Sequence, residues 1–123
     1  MSTRVSVVLG AARGIGAATA TALAARGDAV VLVDRAANDP RLPYPLGSEE
    51  DLERAATSAR EVAADKDLVA TAIVDATDFE AVTEVLARTE DRFGGIDAIV
   101  VCAGVIAGGR PLWEMPGDEV DAV

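Results

Sequence analysis

The chain has 123 residues, a formal net charge of −10, one cysteine and no histidine, and half its residues are hydrophobic while only 3% are aromatic. That fits one globular domain whose core is Ala, Val, Leu and Ile, burying roughly two thirds of the surface of the unfolded chain. Without histidine there is no Ser-His-Asp triad, no Cys-His pair and no His-ligated metal site, and one cysteine excludes an intrachain disulfide and a zinc ribbon.

The acidic balance argues against a nucleic-acid backbone as partner, because that surface needs Lys and Arg. An unpaired thiol suits a reducing cytoplasm, and no run approaches the ~18 apolar residues of a membrane helix. Residues 4–12 followed by Leu23-Ala24-Ala25 loosely mimic a secretory signal. Arg13 and three glycines interrupt the apolar stretch, whereas a secretory core is continuous. Residues 1–33 carry Arg4, Arg13 and Arg26 against Asp28, and the rest carries 8 basic and 20 acidic residues. Most of that acid reads as a solvated surface, and the slightly positive first unit suits an anionic ligand.

Arg4-Val5-Ser6-Val7-Val8-Leu9 is a β-branched run that ends at Gly10 and reads as a buried strand. Residues 14–26 read as a helix with Ile15, Ala18, Ala22 and Ala25 on its inner stripe, stopped by Gly27. Residues 29–33 form a second strand closed by Asp34, and the three elements make a βαβ unit with a right-handed crossover. An insertion over about 36–48 holds three prolines, so it is neither helix nor inner strand. Leu42, Tyr44 and Leu46 make it too apolar for a flexible linker, and an ordered, packed loop is expected.

Ser48 is placed as an N-cap, with Asp51 where a capping box wants an acid. The helix is expected to run to about Ala64 with Leu52, Ala55, Ala59 and Val62 inside, and Lys66 lies at its end. Residues 68–74 read as the third strand. Asp78 caps another helix, with Phe79, Val82, Val85, Leu86 and Phe93 at helical spacing, ended by Gly94-Gly95. Residues 96–101 read as the fourth strand with Asp97 at its entry. A loop then leads to a helix start at 117–123. The whole is one domain of α/β class, a doubly wound parallel Rossmann sheet in order 3-2-1-4.

The chemistry concentrates at strand ends. In Gly10-Ala11-Ala12-Arg13-Gly14-Ile15-Gly16, Gly10 allows the tight turn, Gly14 the close approach of a pyrophosphate and Gly16 close helix packing. The following helix N-terminus offers free N–H groups to phosphate. Asp34, 18 residues after Gly16, can accept both hydroxyls of an adenosine ribose and repels a 2′-phosphate, which favours NAD. Arg35 is the counter-signal, since a guanidinium can pair with that phosphate. Asp75, followed by Ala76, ends strand three at the same level; it can meet an adenine amino group or serve an Asp-Ala-Thr-Asp turn. Cys102-Ala103-Gly104 closes strand four with small residues that leave room for a ribose and nicotinamide. With no base to activate it, Cys102 reads as a small buried core thiol.

These residues resemble the short-chain dehydrogenase/reductase family. The resemblance rests on Gly10 to Gly16, Asp34, Asp75-Ala76-Thr77-Asp78 and Ala103-Gly104, and covers essentially the whole chain. Three residues between the first two glycines are specific to that family among Rossmann folds. The insertion, with Pro43-Tyr44-Pro45-Leu46 and an acidic helix start, resembles the mycofactocin-coupled subfamily. So does the loop Gly104-Val105-Ile106-Ala107-Gly108-Gly109-Arg110-Pro111-Leu112-Trp113-Glu114. The resemblance implies an oxidoreductase of alcohols or ketones that holds NAD tightly under the insertion and passes electrons to mycofactocin. It also implies a homo-oligomer in full-length form.

Two departures are local: Leu9 stands where the family has Thr, and Val101-Cys102 where it has Asn-Asn. The third is larger. The family's catalytic Asn, Ser, Tyr and Lys have no counterpart here. The only tyrosine, Tyr44, precedes Pro45-Leu46-Gly47-Ser48, and the only lysine is Lys66. The expectation is the cofactor-binding, N-terminal part of such an enzyme, inactive alone, with an unprotected fourth-strand edge that favours self-association. The alternatives are a stand-alone NAD-binding or redox-sensing module, and a methyltransferase-like fold, whose Gly-x-Gly-x-Gly loop is missing.

Overall fold

A computed structural model describes residues 3–105 and 109–123. Ile106, Ala107 and Gly108 of the loop singled out above lie outside the described residues. The elements in chain order are β1 (Val5–Leu9), α1 (Gly14–Ala25), β2 (Ala29–Asp34), α2 (Glu49–Val62), β3 (Val69–Ile73), α3 (Phe79–Phe93), β4 (Ala98–Val101) and α4 (Gly117–Ala122). The four strands are parallel in order β3-β2-β1-β4, with Val7 opposite Val31 and Ile99. This is the doubly wound sheet that the alternation of strand and helix predicts.

β1 and most of β2 are buried on both faces, with Ser6 the one polar residue of β1, because helices cover both. On one face α1 and α2 lay Ala20, Ala24, Leu52, Ala55, Ala56 and Ala59 on Val8, Val30, Leu32 and Val69. On the other, Val85, Leu86 and Phe93 of α3 reach Val7, Leu9, Val31 and Val33. Alanines in the α1–α2 layer let backbone approach backbone, which is how a chain with few aromatics packs densely. Ser48 and Asp51 form the expected capping box, and Asp78 caps α3 by accepting the Ala81 N–H at 3.1 Å. Asp97 fastens the entry to β4: its carboxylate accepts the Val5 N–H at 2.7 Å while its own N–H donates to the Val5 carbonyl at 2.8 Å.

Several local expectations are corrected. The expected inner stripe of α1 (Ile15, Ala18, Ala22, Ala25) faces outward; Gly16, Ala20 and Ala24 are buried and Ile15 is 79% exposed. α1 is apolar nearly all round, so its periodicity cannot select a face. The contact of Gly16 with the Gly10 turn does so instead. Val62 is exposed because α2 ends there and Ala63, in extended backbone, packs inward. Phe79 is exposed because it is the first residue of α3, about one turn before the half-buried Val82 and about two before the buried Val85. Leu68 and Lys66 belong to a short 3₁₀ turn, capped by Asp65, rather than to a strand and a helix end. β4 begins at Ala98, two residues later than expected. No helix among the described residues is long and apolar enough to cross a membrane.

Candidate functional site

The site grows from the end of β1. The N–H groups of Gly10 and Ala11 both donate to the Val33 carbonyl, at 2.8 and 3.0 Å, which fixes the turn against β2. Gly10 has φ +88°, and a Cβ there would lie 2.4 Å from the Ala103 nitrogen. The end of β4 therefore sits directly on the turn, and only glycine fits. A Cβ on Gly16 would lie 1.9 Å from the Gly10 carbonyl oxygen, so this helix position also requires glycine.

Gly14 differs. Its φ is +59° and nothing lies within 4 Å of where its Cβ would be. The space is an open corner over the first turn of α1. Arg13 is the N-cap residue, its side chain caps nothing, and no acid occupies the first turn. The leading N–H groups and the positive end of the helix dipole are thus left to an outside anion, and the corner suits a pyrophosphate.

Asp34 ends β2 beside this corner. One carboxylate oxygen accepts the Ala12 N–H at 3.1 Å and the other the Ala36 N–H at 2.9 Å. These bonds tie the acid to the glycine turn and hold Ala36 at φ +57°, a left-handed conformation rare for alanine. A carboxylate has about four acceptor positions, so Asp34 keeps capacity for hydroxyl donors.

The insertion begins at Ala36 and folds back on the same corner. Leu42 is buried, Tyr44 and Leu46 are half-buried, and Gly47 lies so close that its Cβ would come 2.8 Å from the Ala12 Cβ. The loop packs on the glycine turn, as its apolar residues predict. Its pivot is the buried Asp39, whose carboxylate takes the guanidinium of Arg41, the Arg41 N–H at 2.9 Å and Arg35 at 3.1 Å. The Arg41 guanidinium, above all, holds the Asp39 carboxyl well below the usual carboxylate range.

Asp75 follows β3. Its Oδ1 accepts the Thr77 N–H at 2.9 Å and the Thr77 hydroxyl at 2.8 Å, and the backbone bond, first among these, lowers its pKa. Of its two readings the turn-forming one is realised. The acid nonetheless lines the crevice, and its Oδ2 lies 3.9 Å from the Arg35 Nε. Cys102 is corrected: it is half-buried, not a core thiol, because β4 ends at Val101 and the chain turns outward over Gly10.

All the residues singled out in the sequence (Gly10, Arg13, Gly14, Ile15, Gly16, Asp34, Arg35, Asp75, Ala76, Cys102, Ala103 and Gly104) line one crevice of about 600 Å³ at the C-terminal ends of the strands. This is where open α/β sheets bind ligands. The insertion, expected over the cofactor from the resemblance, forms the wall opposite the glycine turn; the residues that sequence reading did not single out as site residues are Asp39, Arg41, Leu46 and Gly47 from the insertion, and Thr77. No spacing rule brings Asp39 to Arg35, because residues 35–39 are not helical.

A family model described as short chain dehydrogenase matches residues 4–123. A short-chain reductase of Streptomyces niveus is 41% identical over 119 residues, which is 97% of this chain and 39% of the relative. Cis-4-hydroxycyclohexanecarboxylate dehydrogenase of Sinomonas cyclohexanicum is 39% identical, over 91% of this chain and 39% of its own length. Among solved structures, carveol dehydrogenase from Mycobacterium avium in complex with NAD superposes with a TM-score of 0.88 at 30% identity, covering 99% of this chain and 43% of that one. A short chain dehydrogenase from Mycobacterium paratuberculosis bound to NAD gives a TM-score of 0.87 at 30% identity, over 99% of this chain and 44% of that one. The chain thus spans about two fifths of the length of the relatives it matches.

Proposed function

The chain belongs to the short-chain dehydrogenase family, and from that premise we propose that it is the cofactor-binding part of an NAD-dependent oxidoreductase of alcohols or ketones. The observation that carries the reading is the open corner at Gly14. It sits over the uncapped start of α1, in one crevice with Asp34. Arg13, Gly14 and Ile15 would present N–H groups and charge to the pyrophosphate. Asp34 would take the adenosine ribose hydroxyls, and Asp75 with Ala76 would flank the adenine. The small residues Cys102, Ala103 and Gly104 would leave room for the nicotinamide ribose. Bound NAD supplies the hydride acceptor or donor.

Removing the hydroxyl proton of an alcohol takes a base, and these residues hold no Tyr-x-x-x-Lys pair. In this reading the 123-residue chain binds the nucleotide without turning over an alcohol. The finer reading couples the enzyme to mycofactocin, with the insertion retaining NAD. It is supported by the wall that Asp39, Arg41, Leu46 and Gly47 build against the crevice. The test is loading with isotope-labelled NAD, gel filtration, then a chase with unlabelled NAD. Retention of one label per chain against the chase, with reduction of mycofactocin only by a longer chain carrying the Tyr-x-x-x-Lys pair, is expected. Free exchange would overturn the retention reading, and absence of any binding would overturn the cofactor reading.

A further inference from the structure

We infer that Asp39 sets the preference for NAD over its 2′-phosphorylated form by occupying Arg35; this rests on the nucleotide reading above. Arg35 follows Asp34 directly at the end of β2, the place where a dinucleotide fold reads the adenosine ribose. A free guanidinium there attracts a 2′-phosphate and would work against the carboxylate beside it. It is not free in this chain. Its Nη1 lies 3.1 Å from Asp39 and its Nε 3.9 Å from Asp75.

Asp39 is suited to hold it. Its side chain is 4% exposed, and Arg41 fixes it by bonding Oδ1 through its N–H and Nε and sharing Oδ2 with Arg35. It comes from the insertion, not from the strand, so the insertion carries a specificity element as well as a wall. A 2′-phosphate would have to displace Asp39 from Arg35 and approach the Asp34 carboxylate at once. Both cost electrostatic free energy in a recessed crevice.

The test compares NAD and NADP binding by isothermal titration to the 123-residue chain and its variants, freed of co-purified nucleotide. In Asp39→Asn the amide oxygen in the Oδ1 place can still accept the Arg41 N–H, while the amide NH2 replaces the Oδ2 that both guanidiniums bond, so the charge is removed and Arg35 is released. The affinity for NADP relative to NAD, measured as the ratio of the two within each variant, is expected to rise about tenfold. Adding Arg35→Gln to that variant cancels the gain. Arg35→Gln alone, in the otherwise native chain, leaves NADP affinity within about twofold, because the guanidinium is already occupied.

An Asp39→Asn chain that binds NAD but gains nothing for NADP overturns the inference, as does a gain that survives Arg35→Gln. A fall of about fivefold or more in NADP affinity on Arg35→Gln alone also overturns it, and that arm stands even if Asp39→Asn folds poorly. A native chain that binds neither nucleotide overturns the cofactor reading itself, and this inference with it.

Discussion

Replacing Gly16 with alanine sets two opposite effects against each other. In an open helix the change stabilises by about 1 kcal/mol, since alanine loses less backbone entropy and propagates the helix better. Gly16 adopts ordinary helical backbone, so no conformational strain opposes the change. Its Cβ, however, would lie 1.9 Å from the Gly10 carbonyl oxygen and 2.8 Å from the carbonyl carbon. The neighbour is backbone, not a flexible side chain, and that backbone is pinned to β2 by the bonds of Gly10 and Ala11 to Val33. Relief requires α1 to shift from the sheet. Overpacking typically costs about 1–3 kcal/mol, and a pinned backbone neighbour puts this case at the upper end.

The expected net result is destabilisation by about 2 kcal/mol or more, out of a typical total of about 5–15 kcal/mol. Urea denaturation reads it directly. Two controls separate the mechanism. At Gly95 nothing lies within 4 Å and φ is not positive, so Gly95→Ala leaves the midpoint unchanged. At Gly27 nothing lies within 4 Å but φ is +101°, so Gly27→Ala costs about 1 kcal/mol through strain alone. A Gly16→Ala chain as stable as the parent would refute the close helix–turn contact.

Three further outcomes are expected. Asp34→Ala leaves the Ala12 and Ala36 N–H groups without their acceptor. It should cost about 1–2 kcal/mol in urea denaturation, and unchanged stability would contradict those bonds. The carboxyls of Asp28, Asp39, Asp51 and Asp75 are held below 3.8, by Arg26, Arg41, the Ser48 N–H and the Thr77 N–H respectively. The native state thus binds fewer protons than the unfolded one, so the stabilisation is full above about pH 5 and is lost as pH falls through about 4 and below. A urea midpoint that stays constant from about pH 6 to about pH 3 would refute this. Finally, among the described residues β4 is a sheet edge with Val101 67% and Ile99 47% exposed, and such edges pair with other chains. Analytical ultracentrifugation should show association rising with concentration, relieved by Val101→Lys; a monomer at all concentrations would count against it.

Much of this fold was legible because its signals are local. The β-branched runs, the Ser48–Asp51 capping box and the glycine turn each depend on residues close in sequence. What escaped depends on contacts distant in the chain. α1 is apolar almost all round, so the buried stripe is chosen by the approach of Gly16 to Gly10, and no periodicity reports that. Gly10 reads as a turn residue, yet its tightest neighbour is Ala103, brought there by β4. Asp28 enters the sequence reading only as a charge, but it is buried and bonded to Ser6 at 3.1 Å and Arg26 at 2.7 Å. The glycine corner and Asp34 were readable because phosphate and ribose recognition use fixed spacing. The insertion's place over the crevice came from the resemblance, but the residues that build its wall were not readable, because they depend on where Asp39 folds.

The most direct test of the central claim is a titration of the ¹⁵N-labelled chain with NAD, followed by amide chemical shifts. The account predicts saturable changes concentrated at residues 10–16, at Asp34, at Asp39, Arg41, Leu46 and Gly47, at Asp75 to Thr77 and at Cys102 to Gly104, with α3 beyond its first turn unaffected. Shifts centred elsewhere, or none at millimolar NAD, would contradict it.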